Sequence, residues 1–316
     1  PVEAIQPIHS ERFFFSYIIG FLKKIFNFNL YYFFRILVVL LIVLINLFII
    51  IILKKLEVEE SKIIFLTLLI NFNPYFSRFY IANPLIINDL IFHLGLLICI
   101  LAVVKSKKKL FLLGTTLSIL SRQSAIAIFL SIIFLKIFSK KNNLFGKKEI
   151  FLNLIIILIV YCIGYAYSSQ TISYENERYD QYFVTIFGIF IEKKSMMEYL
   201  KFFIWPLLSF GPFCLYILFY NKFDFNKKIN LNLIYFAFIV FLALVMQPIF
   251  QGIEVSGRNI IRLTTLGYIP IIILLSHITY PKKINFLSNI FLLLVLFIWS
   301  CHPTFSKFNF LENFKF

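Results

Sequence analysis

The sequence predicts an all-α fold, a polytopic transmembrane bundle of about nine or ten apolar helices, and three observations predict it. Hydrophobic residues make up 60% of the 316-residue chain and charged residues 15%, a balance that leaves too little polar surface for a soluble domain. Apolar runs recur along the chain at the length a helix needs to cover hydrocarbon, roughly 20 residues for about 30 Å. The cations between these runs are sorted by type. Of 31 basic residues seven are Arg, and 17 of the Lys fall in five short loops, 54–62, 105–109, 136–148, 221–230 and 281–283, that contain no Arg. Lys-rich short loops mark the cytoplasmic side of a membrane.

Taken in order, residues 13–28 (FFFSYIIGFLKKIFNF) are apolar but too short and too close to the next run to cross, which predicts an interfacial helix on the outer leaflet. Spans are predicted at 30–53, 84–104, 150–167, 199–220, 231–248, 262–280 and 284–301. A weaker span at 62–80 is interrupted at Asn73-Pro74, where proline removes a backbone donor and crowds the preceding turn. Segment 110–138 has Lys on both flanks. Read as one crossing it would break the charge rule, so it predicts two short helices, 110–121 and 123–138, turning at Ser121-Arg122-Gln123 within membrane depth. The chain then forms a single transmembrane domain over 1–316, with 1–28 as outer loop and interfacial helix, 30–301 as spans and 302–316 as outer tail.

A net charge of +16 split among short loops gives topology signals facing anionic lipid, with no basic face to track nucleic acid. Cys99, Cys162, Cys214 and Cys301 lie in apolar segments without CxxC spacing and read as small hydrophobes. His9, His93, His277 and His302 are scattered, so no zinc site is expected, and P-loop, glycine-rich nucleotide, GxSxG and HExxH patterns are absent. No cofactor is expected. The chain begins at Pro1 without a leading span, which leads us to expect a preceding N-terminal portion.

The Arg residues carry the functional expectation. Arg12, Arg35, Arg78, Arg122, Arg178, Arg258 and Arg262 all map to outward loops or the outer ends of spans. Guanidinium grips phosphate or carboxylate bidentately, whereas Lys is a point charge. Arg122 at a broken helix predicts a cavity-lining cation, and Arg258 with Arg262, four apart, predicts an anion site on one helical face. Each Arg alone also fits a lipid-headgroup anchor. Asp89 and His93 share a face of the 84–104 helix. An ionisable group inside a membrane costs about 2.5–3.5 kcal/mol and marks function by default. Candidates for acid or base are Glu3, Glu11, Asp89, Glu175, Glu177, Asp180 and Glu254.

Three stretches, PIHSERFFFSYIIGFL, NPYFSRFYIANPLIINDLIFHLG and LGTTLSILSRQSAIAIFLSIIF, resemble in layout the GT-C superfamily of integral membrane glycosyltransferases. The resemblance covers most of the chain. It implies sugar transfer from a polyprenyl-phosphate carrier to a glycan or lipid acceptor at the outer face of a bacterial inner membrane. In that family the catalytic acid follows the first span in an outer loop, and Glu3 and Glu11 are the acids in the matching region here. Glu11, from the resemblance, and Asp89, from its place within the membrane, are the expected catalytic residues, and Arg12, Arg78, Arg122, Arg258 and Arg262 the expected substrate-binding residues. A polymerase or ligase for surface polysaccharide, and a transporter or lipid flippase, remain alternatives. The latter class favours inverted repeats and midplane charges.

Overall fold

A computed structural model describes residues 13–138, 145–171, 188–190, 193–219, 224–225, 230–256 and 260–279, with parts of 290–298. The described chain is helical apart from one two-residue antiparallel pairing, β1 (Asp224–Phe225) with β2 (Ile278–Thr279). The helices are α1 (Phe13–Phe26), α2 (Leu30–Lys55), α3 (Glu60–Asn71), α4 (Ser77–Ala82), α5 (Ile87–Lys105) and α6 (Lys108–Ser121). They continue as α7 (Ile126–Phe138), α8 (Lys147–Thr171), α9 (Met196–Phe219), α10 (Leu231–Ser256), α11 (Ile260–Thr264) and α12 (Tyr268–Ser276). Among the described residues, three stretches are long and apolar enough to cross a membrane: Leu30–Lys55, Pro84–Lys105 and Leu231–Ile253.

α2 starts where Asn29 caps it, its side-chain oxygen accepting from the amides of Tyr31 at 3.0 Å and Tyr32 at 3.4 Å. Val38, Leu41, Ile45, Ile49 and Ile52 recur at helical spacing and are buried. Ile36, Val39, Leu40, Val43 and Leu47 on the other side are exposed. A helix apolar on both faces with one face uncovered is stable in lipid, not in water. The Lys-flanked turns after α2 and α5 are built alike. Val58 donates to the Leu53 carbonyl and Glu57 to that of Lys54; Lys107 and Ser106 repeat the pattern on Ala102 and Val103. This is the left-handed helix stop, and Glu57 (φ 56°) and Ser106 (φ 53°) occupy a conformation that glycine adopts without strain.

α5 is the central helix, buried at most positions from Ile87 to Val103. It packs antiparallel on α6 through a two-glycine crossing. A methyl group on Gly95 would come within 2.9 Å of the Gly114 carbonyl oxygen, and one on Gly114 within 2.7 Å of the Gly95 oxygen, so only glycine allows the backbones this close.

α6 ends at Arg122, whose φ of −153° and ψ of 139° are extended, and the chain resumes through a 3-10 turn (Gln123–Ala125) into α7. The chain reverses there. Lys108, at the start of α6, pairs with Glu149 at the start of α8 at 2.7 Å, and Phe111 stacks edge-on against Phe145 at 4.8 Å. The Tyr161 hydroxyl, farther along α8, reaches the Gln123 carbonyl at 3.2 Å. α8 therefore runs alongside α6. A straight α6–α7 rod would carry Phe138 about 40 Å from Phe111, whereas seven residues reach at most about 25 Å. α7 must fold back, as the Lys flanks require.

One interrupted span follows expectation and one span differs from it. The 62–80 span breaks as Asn73-Pro74 implies, α3 stopping at Asn71 and α4 starting at Ser77. The 262–280 span, expected as one helix, is instead α11, a 3-10 turn (Thr265–Gly267) and α12. Pro270 is the reason: in the first turn of a new helix its missing N–H has no intrahelical acceptor to lose, while inside a continuous helix it would break a bond. α10 carries Pro248 and a non-helical Gly252 (φ 81°, ψ −177°), so its last turn is kinked away from the long apolar stretch.

The interhelical ties sort the helix ends into two groups. The Lys62 ammonium donates to the Ser276 carbonyl at 2.7 Å, and β1 pairs with β2, so the start of α3, the end of α12 and the β1–β2 pair meet at one end. The start of α5, the α6–α7 turn and α11 meet at the other.

Candidate functional site

Asp89 lies in the first turn of α5 and is 0% exposed. Its Oδ1 accepts from Nη1 of Arg122 and its Oδ2 from Nε of Arg262 at 2.8 Å. Three elements distant in sequence thus converge on one carboxylate. Asp89 is placed by the 3-10 turn Pro84–Ile86 that starts its helix, Arg122 by the extended residue between α6 and α7, and Arg262 by the five-residue α11. The Arg122 side chain is 2% exposed and that of Arg262 17%. Among the described residues, two cations and one anion give the cluster a formal excess of one positive charge.

A buried carboxylate without partners would carry a desolvation cost of several kcal/mol, so the two charge-assisted bonds are what make Asp89 tenable there. The surrounding shell is polar and mostly satisfied. The Tyr80 hydroxyl lies 3.4 Å from Thr265 Oγ1, and Thr265 in turn donates to the Arg262 carbonyl at 2.7 Å. Ser209, between Pro206 and Pro212 of α9, offers its carbonyl to the Tyr268 hydroxyl at 2.6 Å and the Asn73 amide at 3.2 Å. Its own hydroxyl meets Thr264 Oγ1 at 3.0 Å. These bonds fix α11 against α9 and hold Arg262 where it reaches Asp89.

His93, one turn below Asp89, is fully buried among the rings of Phe76, Tyr80 and Phe92, at 5.4, 6.4 and 6.1 Å between centroids. Neither of its ring nitrogens has a hydrogen-bond partner, nor do Arg122 Nε, Ser118 Oγ or Asn88 Oδ1. Orphaned buried polar atoms are costly, about 1–3 kcal/mol each. All of these lie on α5 and α6 or the turn that follows, beside the ion cluster.

Of the residues expected from sequence, the fold brings together Asp89, Arg122 and Arg262. Arg78 is half-buried on α4, two residues from Tyr80. Glu11, Arg12 and Arg258 lie outside the described residues, as do Glu3 and the acids of 175–180. Arg35 is exposed on α2, its guanidinium 4.3 Å from the centre of the Tyr31 ring, as suits an anchor at the membrane surface. Sequence reasoning missed Tyr80, Ser209, Thr264, Thr265 and Tyr268. Ser209 had a signal, since it sits between two helix-interior prolines that disturb backbone pairing. Among the described residues no group of three His, Cys, Asp or Glu could hold a metal ion.

No protein-family model, curated protein or solved structure matches the chain.

Proposed function

We propose that the protein is a multi-pass glycosyltransferase of the inner membrane, taking sugar from a polyprenyl-phosphate carrier at the face opposite its Lys-rich loops. The observation that carries this reading is the buried Asp89–Arg122–Arg262 cluster, gathered at the end of the helices away from those loops. Its excess positive charge suits a phosphodiester monoanion, and its low-dielectric surroundings strengthen that attraction.

The chemistry assigned to this chain's residues follows from that placement. An acceptor hydroxyl attacks the anomeric carbon while the bond from that carbon to phosphate oxygen breaks. Charge grows on the departing phosphate, where a guanidinium is worth most. Arg262 supplies that charge at contact and Arg122 adds to it through the low-dielectric interior, and Asp89 is a positioning residue that orients Arg122. The acceptor proton is assigned to a carboxylate, Glu11, because Asp89 is already engaged by two Arg side chains. Arg12, Arg78 and Arg258 are assigned to further contacts with the donor at the same face, and the lipid chain is held by the surrounding membrane.

The test is sugar transfer from a radiolabelled polyprenyl-phosphate donor by protein reconstituted in vesicles, comparing wild type with Arg262→Lys. Lys keeps the charge and loses the fork. The proposal expects normal insertion with a raised KM for donor. Wild-type kinetics in that variant would remove Arg262 from donor binding, and failure of wild type with every polyprenyl-phosphate donor would remove the transferase reading.

A further inference from the structure

The anion site just proposed is closed: Asp89 is fully buried, Arg122 nearly so, and Arg262 alone of the three presents part of its guanidinium side chain outward, at 17%. A phosphate cannot reach Arg122 without dismantling a pair in which both partners are desolvated. It can reach Arg262. The same guanidinium N–H donors that serve a carboxylate serve a phosphate, so an incoming phosphodiester and the Asp89 carboxylate compete for Arg262.

We infer that Asp89 is a built-in anion mimic, occupying on Arg262 the place that the ligand's phosphate takes when it binds. This rests on the anion-site reading and adds an autoinhibitory contact to it. Arg122 lies too deep to be reached and Arg262 does not, so the exchange leaves Arg122 on Asp89 and moves Arg262 to phosphate, keeping the buried carboxylate in its pair with Arg122.

The movement belongs to the Arg262 side chain. The chain just after Arg262 is held through two side chains, Thr264 to Ser209 and Thr265 to Tyr80. One bond, from Nε to Oδ2, ties the guanidinium to Asp89. Arg122 is the fixed member and Arg262 the exchangeable arm. Asp89 then does two things: it orients Arg122 permanently, and it keeps Arg262 folded inward until an anion replaces it. The competition raises the ligand concentration needed for binding and selects against weak anions.

The mimic and the plain scaffold predict opposite signs for one substitution. If Asp89 competes with ligand for Arg262, Asp89→Asn removes the competitor and tightens binding; if Asp89 only positions the two Arg side chains, the same change loosens it. The probe is dioctyl phosphate, an apolar phosphodiester monoanion, titrated calorimetrically into detergent-solubilised full-length protein. We expect Asp89→Asn to bind it on the order of fivefold tighter than wild type or more, the lower range of coupling between competing sites. Equal or weaker binding by a folded Asp89→Asn protein overturns the inference. Should that variant fail to fold, wild-type protein labelled with 15N-arginine decides. Saturating dioctyl phosphate shifts the Arg262 Nε–H resonance and leaves that of Arg122 in place, the two being assigned from Arg262→Lys and Arg122→Lys proteins. An unmoved Arg262 signal at saturation overturns the inference while leaving the anion site intact. No binding to wild type overturns both.

Discussion

The two ends of the helices hold their charges in opposite ways. At the Lys-rich end the pair from Lys108 to Glu149 is 2.7 Å long, with side chains 50% and 23% exposed. At the Arg end the carboxylate of Asp89 is 0% exposed and its partners 2% and 17%. The pairs use the same chemistry in different dielectrics. Water competes with the first and screens it, so its formation contributes little. Around Asp89 the charges depend on one another, because removing the carboxylate leaves two guanidinium groups beside each other in a low dielectric. Lys at one end stays solvated, and Arg at the other is packed into the interior.

If that contrast holds, the largest effect follows Asp89→Ala. It strands two buried guanidinium groups, and thermal unfolding in detergent should show a loss of about 3–5 kcal/mol. Next is Gly114→Ala, whose new methyl meets the backbone oxygen of Gly95 and pushes α6 off α5. A loss of about 1–3 kcal/mol is expected from overpacking, together with poorer seating of Arg122 on Asp89, read as weaker dioctyl phosphate binding.

At the Lys end, Ser106→Gly relieves a left-handed residue at the end of α5 and should stabilise by about 1 kcal/mol, measured as a higher Tm with donor kinetics unchanged. The smallest effect belongs to Lys108. Its ammonium holds the Glu149 carboxyl below the ordinary value of 4.5. A lowered carboxylate stabilises the fold fully above that value, and the contribution is lost as pH falls through the lower folded value. Lys108→Ala should therefore cost less than about 1 kcal/mol at neutral pH and nothing once Glu149 is protonated. The difference in Tm between the two proteins, followed from pH 7 down to pH 3, checks the sign.

Much of the helical layout was legible because it is written in local chemistry. Asn73-Pro74 stops a helix, and the Lys on both flanks of 110–138 forces the turn at Arg122. What sequence left open is the partner of each buried charge. Asp89 and Arg262 are 173 residues apart, and before folding Arg78 or Arg258 was as good a partner as Arg262. Packing decides that, through Ser209, Thr264 and Thr265, whose hydroxyls set the position of α11. The segmentation of 262–280 failed for a related reason: hydropathy measures apolarity, and the 3-10 turn at Thr265–Gly267 interrupts the backbone without interrupting the apolar run.

The contrast between the ends becomes a statement about a membrane only if they lie on opposite sides of it. Single-cysteine proteins lacking the native cysteines, with Ser106→Cys at the Lys end or Ser195→Cys before α9, test this with an impermeant maleimide. The positions are exposed in the fold, and Ser195 sits at the start of α9, where it caps the helix with Glu198 at 2.9 Å from its amide. We expect Ser195→Cys to be labelled in intact cells and Ser106→Cys only in inverted vesicles. Labelling of both from the same side would contradict the account, placing the Lys loops and the Asp89 cluster in one compartment.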